Sequence, residues 1–386
     1  MILGVPKEIL DGELRVAALP ETVSGFLKMG FDVAVESSAG EGSLHSDEEY
    51  LSVKARIVDE PEELFATSDV ILKVKQPLFN DRLGKHEADM MRPGSILISF
   101  LHPAAPPNRE MVKMLAKNGV TALTMDGIPR ISRAQPMDAL TSMSTITGYK
   151  SVLIGAHWCP KFIPMLGTAI GTIKPARFFI IGIGVAGLQA LAAAKRLGAS
   201  IMALDIKEDA RQAAASLGAK VVGFEVPEEL AVGHGGYAKS LPDEWLEKER
   251  QVIEPHLKEA DVVILCALVP GEVAPTLVTR EMVEGMKPGS VIIDVSIDQG
   301  GNCEITEPGR DCVKHRVHLC GLWNIPGSMP VHASWLYSHN ILHFVENLFK
   351  NGLDAPDYED EIVANAMVTH RGEIVHAGLL RALNRT

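Results

Sequence analysis

Residues 177–207 read RFFIIGIGVAGLQALAAAKRLGASIMALDIK, and this stretch decides the fold. Positions 178–181 form a short, wholly apolar run, the pattern of a strand buried on both faces of a parallel sheet. Gly182, Gly184 and Gly187 then complete G-x-G-x-x-G ahead of an Ala/Leu-rich helix, opened by Val185 and closed by Gly198. A second apolar run, 201–204, ends on Asp205 and Ile206. Each part has a physical task. Gly182 permits a tight turn, Gly184 lets backbone approach a pyrophosphate, and Gly187 lets the helix pack close to the strand. The helix N-terminus faces the phosphates. Asp205 follows Gly187 by 18 residues, the separation at which a carboxylate binds a ribose 2′-hydroxyl and repels a 2′-phosphate. Strand, helix, second strand and acid stand in order, so the stretch predicts dinucleotide binding, with NAD(H) preferred to NADP(H).

Working outward, 386 residues suffice for two domains, each with its own core. A chain 46% hydrophobic and 22% charged has the balance of an ordinary α/β globule. No apolar run approaches the length of a membrane span, and the first residues lead directly into a strand, so a cytoplasmic protein without a signal peptide is expected. A net charge of −12 argues against nucleic acid and anionic membrane surfaces as partners. The five cysteines, Cys159, Cys266, Cys303, Cys312 and Cys320, form no C-x-x-C pair and read as reduced thiols, and no metal site is expected.

Taken in order, residues 1–5 predict a strand and 21–29 a helix stopped by Gly30. Strands follow at 32–36, 53–58, 68–75, 95–100 and 121–124, with a helix over 108–118 before the last. Strands alternating with helical stretches mean a doubly wound parallel sheet. This first half has no glycine fingerprint, so it is assigned to substrate or partner contacts. A long helix over 137–159 leads into the nucleotide domain, where strands are expected at 220–222, 262–266, 291–295 and 317–322 and a helix at 243–259. A helix over 334–349 carries the chain back to the first domain, followed by a strand-like tail. The expected fold is α/β with two Rossmann-like, doubly wound domains: 1–141 with 329–386 for substrate or partner, and 142–328 for NAD(H).

In open α/β sheets ligands bind beyond the carboxyl ends of the strands, and the informative polar residues lie at such ends. Lys73 and Lys75 end VILKVK, His102 follows SILISFL, Asp298 follows VIIDVSI, Asn324 follows the last strand, and Arg15 sits after the first. A dehydrogenase of a 2-amino or 2-oxo acid needs a cation for the carboxylate, an acid/base for the carbonyl or amine, and a carboxylate to orient them. Arg15, Lys75, His102 and Asp298 have those types. Plainer roles are open to the same residues: an exposed strand-end lysine, a histidine capping a turn, an aspartate serving the turn at Gly300–Gly301. The segment PRISRAQPMDALTSMS (129–144) crowds Arg130, Arg133, Gln135 and Asp138 into one loop, either a capped helix start or a polar clamp over nicotinamide.

The motifs VPKE…RVAALPE, PRISRAQxMDAL, GxGVAGLQAxAxAKRLGA, GGYAK, ALVPGEVAP, MKPGSVIID and GGNCEITEPG carry a resemblance that covers nearly the whole chain. They resemble the alanine dehydrogenase/pyridine nucleotide transhydrogenase family, and most of all the NAD(H)-binding α component of proton-translocating transhydrogenase. The resemblance implies an NAD(H) site in the cleft between two Rossmann-like domains and a homodimer. It places Arg130, Gln135 and Asp138 at the nicotinamide end and Tyr237 on a loop that closes over the site. Thr141 stands where the transhydrogenase pattern has serine. The same resemblance gives alanine dehydrogenases a substrate arginine and lysine, an acid/base histidine and an aspartate near the amine, of which transhydrogenase components usually lack part. Here Arg15, Lys75, His102 and Asp298 supply the whole set.

Two readings follow. The preferred one is a dehydrogenase passing hydride between NAD(H) and a small 2-amino/2-oxo acid, with Arg15 and Lys75 on the carboxylate and carbonyl, His102 moving the proton and Asp298 orienting the amine. The alternative is the NAD(H)-binding component of a transhydrogenase, peripheral to the membrane, which passes hydride to NADP+ on a partner and requires NADP(H)-binding and membrane subunits. A nucleotide-sensing protein, with the four polar residues idle, is a third possibility.

Overall fold

The computed structural model describes residues 1–231, 239–269 and 273–383. Two compact units emerge, Met1–Met143 with Gly327–Thr386, and Ser144–Pro326. The divisions fall within helix Ala139–Trp158 and within the short 3-10 turn Ile325–Ser328.

In the first unit six parallel strands lie in the spatial order Arg56–Val58, Asp32–Glu36, Ile2–Val5, Val70–Leu72, Ile96–Ser99, Thr121–Thr124. Counted along the chain this is 3-2-1-4-5-6, the Rossmann order, whose strand order reverses between the first and fourth strands. Val70–Leu72 and Ile96–Ser99 are buried throughout, which is why their sequences run apolar rather than alternating. The tail resolves into helix Glu361–Ala366, capped by Asp360, and the strands Met367–His370 and Glu373–Ile374. The first pairs antiparallel with Thr121–Thr124 and the second antiparallel with the first, so the two extend the sheet at that edge. Helix Pro330–Leu348 starts four residues before the expected position, because Pro330 at its first turn is preset for helix and lacks only an N–H that the helix would not use. Its buried stripe is Ala333, Tyr337, Ile341, Phe344 and Leu348.

The second unit repeats the order: Lys220–Val221, Ser200–Leu204, Arg177–Ile181, Val262–Leu265, Val291–Asp294, Val317–Cys320, with Asp311–Lys314 antiparallel at the edge. Successive residues of one strand enter opposite cores. Phe179, Ile181, Val263, Leu265 and Ile292 pack on one face, and Phe178, Ile180, Val262, Ile264 and Ile293 on the other. The period-two geometry of a strand turns an unbroken apolar run into two covered faces. A hairpin that the sequence does not announce, Leu166–Thr168 with Gly171–Ile173, leaves Ile170 at its turn completely exposed, and Phe162 and Met165 just before it are exposed too. Among the described residues no helix is long and apolar enough to cross a membrane.

Candidate functional site

The glycine turn lies at the switch point of the second sheet, directly after strand Arg177–Ile181. Gly182 has φ +86°, and a Cβ there would lie 2.6 Å from the Ala267 nitrogen. A Cβ on Gly187 would lie 2.0 Å from the Gly182 carbonyl oxygen, so helix Val185–Arg196 closes onto the turn only because this residue has none. Gly184, the exposed N-cap of that helix, is different: among the described residues its Cβ would meet no atom within 4 Å. Open space before a helix N-terminus, edged by free N–H groups, suits a pyrophosphate.

Asp205, only 9% exposed, is locked by the same turn. Its Oδ2 accepts the Ile183 N–H at 2.6 Å and its Oδ1 the Lys207 N–H at 2.7 Å. Burial raises its pKa, against the pull of these two N–H groups. Arg211 Nη1 donates to the carbonyls of Asp205, Ile206 and Phe224 at 3.0, 2.9 and 3.0 Å, fixing the chain around the acid. Each carboxylate oxygen keeps a lone pair beyond its one bond, so the acid suits ribose hydroxyls. Sequence reading missed Glu249, a buried acid on helix Asp243–Leu257 whose carboxyl is pushed up to about 8, first by burial and then by the charge of Asp205.

In the first unit Arg15, Lys75 and His102 follow the carboxyl ends of strands Ile2–Val5, Val70–Leu72 and Ile96–Ser99. Arg15 is almost wholly buried and clasped by Glu13, Nε to Oε1 at 2.7 Å and Nη2 to Oε2 at 2.5 Å, while Nη1 contacts the Met143 sulfur at 3.0 Å. Lys73, read from the sequence only as a strand-end lysine, is fully buried between Glu87 (2.9 Å) and Glu8 (3.4 Å). Burial opposes its charge, but the two carboxylates outweigh burial and hold its pKa above the ordinary lysine range. Burial pushes the Glu8 carboxyl up to about 7. That carboxylate accepts the Val74 N–H at 2.6 Å and the Lys75 N–H at 3.4 Å, so the buried cluster fixes the backbone from which half-buried Lys75 projects. Such a cluster carries no local sequence signal, since Glu8 and Glu87 reach Lys73 from distant segments.

His102 has φ +44°, a left-handed conformation uncommon outside glycine and frequent at functional sites. Its Nδ1 lies 2.9 Å from Asp126 Oδ1, and its ring stacks on Phe100. Asn324, after strand Val317–Cys320, is likewise left-handed at φ +52°. Asp298 is exposed within the 3-10 turn Val295–Gln299, and the adjoining glycine turn is held by buried Asp294, which accepts the Asn302 and Cys303 N–H groups at 3.0 and 2.9 Å.

The loop before helix Ala139–Trp158 presents Arg130 and Gln135 as exposed side chains. Asp138 caps the helix, accepting the Thr141 N–H at 2.9 Å and the Thr141 hydroxyl at 2.7 Å. The Thr141 hydroxyl therefore bonds locally, as a serine would. Tyr237 lies outside the described residues. A cavity of about 510 Å³ lined in part by Tyr358, His370 and Arg371 contains none of the predicted site residues.

Two family models match the chain, the alanine dehydrogenase/PNT N-terminal domain over residues 4–147 and the C-terminal domain over 151–377. The first portion of the NAD(P) transhydrogenase subunit alpha of Rhodospirillum rubrum is 40% identical over 98% of this chain and 99% of its own length. An alanine dehydrogenase of Methanococcus maripaludis is 31% identical over 99% and 96% respectively. The crystal structure of transhydrogenase from Sinorhizobium meliloti superimposes with a TM-score of 0.82 at 36% identity, covering 98% of this chain and 99% of that one. With both halves matched, the chain belongs to the alanine dehydrogenase/pyridine nucleotide transhydrogenase family of NAD(H)-dependent oxidoreductases.

Proposed function

We propose that the chain is the NAD(H)-binding, hydride-exchanging α component of a proton-translocating transhydrogenase. The carrying observation is the end-to-end similarity to a transhydrogenase α chain at 40% identity, against 31% for an alanine dehydrogenase over the same span. This reverses the preference drawn from the four polar residues alone. The clasp of Arg15 by Glu13 supports the reversal, because a guanidinium already paired twice with a buried carboxylate is poorly placed to serve a substrate carboxylate.

In this reading residues 144–326 bind the dinucleotide. Gly184 and Val185 receive the pyrophosphate, and Asp205, with Ile206 beside it, takes the adenosine ribose and excludes a 2′-phosphate. Arg130, Gln135, Asp138 and Thr141 orient the nicotinamide end, with Tyr237 and Asn324 as further contacts. Bound NAD(H) supplies or accepts the hydride at its nicotinamide. An NADP(H)-binding component and membrane subunits are the partners, and the chain is peripheral to the membrane. A homodimer is included in the proposal, supported by the exposed apolar side chains of Phe162 and Met165 and, at the hairpin turn, Ile170.

One observation favours the dehydrogenase reading: His102 is oriented by a buried carboxylate, as an acid/base histidine would be. There Lys75 would polarise a carbonyl and Asp298 orient the amine of a small 2-amino/2-oxo acid. The deciding experiment incubates the purified chain with NADH under two conditions. One supplies ammonia and a panel of 2-oxo acids. The other supplies an NADP+ analogue together with the NADP(H)-binding component of a related transhydrogenase. Oxidation only in the second supports the α-component assignment. Turnover in the first that Lys75→Ala abolishes overturns it in favour of the dehydrogenase.

A further inference from the structure

The loop that carries Arg130, Gln135 and Asp138 is built around one short turn. Its centre is the 3-10 turn Ser132–Met137, interrupted by Pro136, and around it Ile131 N–H donates to the Pro129 carbonyl at 2.9 Å, Ala134 N–H to the Ile131 carbonyl at 3.0 Å and Asp138 N–H to the Gln135 carbonyl at 3.2 Å. The hydrogen bonds of so short a 3-10 turn have poor geometry, so its conformation also depends on external ties. Two of these come from the C-terminal region of the chain. Asn340, on helix Pro330–Leu348, donates its amide N–H to the Pro136 carbonyl at 2.7 Å. Arg133 Nη1 reaches Asp360 Oδ2 at 2.8 Å and the Asn347 side-chain oxygen at 2.9 Å.

Asp360 is a hub rather than one half of a surface ion pair. Its side chain is 5% exposed, and it gathers four donors. Oδ2 accepts Arg133 and, at 2.9 Å, Lys350 Nζ, while Oδ1 accepts the Asn347 amide at 3.0 Å and the Ile362 N–H at 2.9 Å. These donors outweigh burial and hold the carboxyl well below the usual carboxylate range. Exposed ion pairs contribute little because solvent competes and both side chains lose freedom. Here the carboxylate is already fixed by Asn347 and by the helix it caps, so Arg133 meets a preorganised acceptor.

We infer that Asp360, acting through Arg133, is the positioning residue for the Arg130–Gln135–Asp138 loop. Arg133 lies three residues from Arg130 and two from Gln135, so its anchor sets the backbone from which both project. The value of the inference for cofactor binding rests on the nicotinamide role proposed for that loop. Lys350 gives an internal control: it meets the same Asp360 oxygen, and Asp357 at 3.0 Å, from outside the loop.

The test compares Arg133→Ala, Lys350→Ala, Asp360→Asn and Arg130→Ala in the full chain. It reads amide hydrogen exchange across residues 131–138 without cofactor, the NADH dissociation constant by titration, and thermal stability. Arg133→Ala and Asp360→Asn are expected to speed exchange in the loop and to weaken NADH binding about tenfold, the scale of one charge-assisted bond. Lys350→Ala, with a comparable loss of stability, is expected to leave loop exchange and NADH affinity unchanged within about twofold. Equal exchange in Arg133→Ala and Lys350→Ala overturns the inference, as does loop exchange in Arg133→Ala that matches the parent chain. Arg130→Ala separates the underlying reading. If that variant binds NADH as the parent does, the nicotinamide role of the loop fails, and the exchange comparison alone still decides whether Asp360 positions it.

Discussion

Asp126 grips His102 twice. One carboxylate oxygen accepts the His102 main-chain N–H at 2.7 Å, and the other lies 2.9 Å from Nδ1 of the same residue. The Thr124 hydroxyl adds a third bond at 2.6 Å. Burial works against ionisation of this carboxyl, but the charge of His102 and the hydrogen bonds win, so its pKa sits below the ordinary aspartate value. A carboxylate that holds both ends of one residue fixes backbone and imidazole together, which sustains a left-handed histidine at a strand end.

The sign of the resulting pH dependence follows. A depressed folded-state pKa contributes stability that is present above the unfolded aspartate value and lost as pH falls through the folded one. Asp126→Asn should therefore cost about 1–3 kcal/mol near pH 7 and progressively less below about pH 4. Urea denaturation of both proteins at the two pH values checks this. A constant difference across that range would show that the carboxylate charge is not the cause.

Two glycines of one motif should fail in different ways. In Gly187→Ala the new methyl meets the Gly182 carbonyl at 2.0 Å, and the helix must lift off the sheet, at a cost of about 1–3 kcal/mol or more. In Gly184→Ala the methyl meets no atom of the described residues within 4 Å, so stability should stay within about 1 kcal/mol. NADH binding should nonetheless fall sharply, because the methyl occupies the approach to the helix N-terminus. Thermal melts beside NADH titrations separate the two. Normal NADH affinity in Gly184→Ala would remove this turn from the cofactor site.

Glu249 should make the protein less stable in base. Its folded pKa of about 8 stands above the unfolded glutamate value, so the folded state holds a proton that the unfolded state has released. Stability is then fully present below about pH 4.3 and declines until pH passes the folded value, by a few kcal/mol in all. Glu249→Gln should match the parent at low pH and exceed it at pH 8–9. A parallel pH dependence in the two proteins would place the titration elsewhere.

The exposed hairpin makes a prediction about assembly. Ile170 is wholly exposed and Met165 and Phe162 are 64% and 58% exposed, an arrangement more typical of a contact surface than of solvent-facing strands. In the homodimer proposed above, Ile170→Asp, at a tip whose burial in the single chain is nil, should leave the fold intact and convert dimer to monomer in sedimentation velocity. A variant that sediments as the parent does would remove this hairpin from that interface.

Residues 177–207 were enough to determine the second unit's strand, glycine turn and helix, because each step there is local. Strand, turn, helix and acid follow within one supersecondary unit, and the glycines are dictated by steric limits a few residues away. The doubly wound sheets were legible too, since strands covered on both faces must read as unbroken apolar runs. Arg15, Lys75 and His102 could be placed at strand ends by counting alone. Their partners could not. Glu8 and Glu87 flank Lys73 at the core, Glu13 occupies Arg15, and Asp360 reaches back 227 positions to Arg133. Ion pairing and burial depend on distance in space and on the loss of water, and neither is encoded in spacing along the chain. For the same reason the hairpin at Ile170 escaped notice: its apolar residues face outward, and only the tertiary structure separates an exposed apolar side chain from a core one.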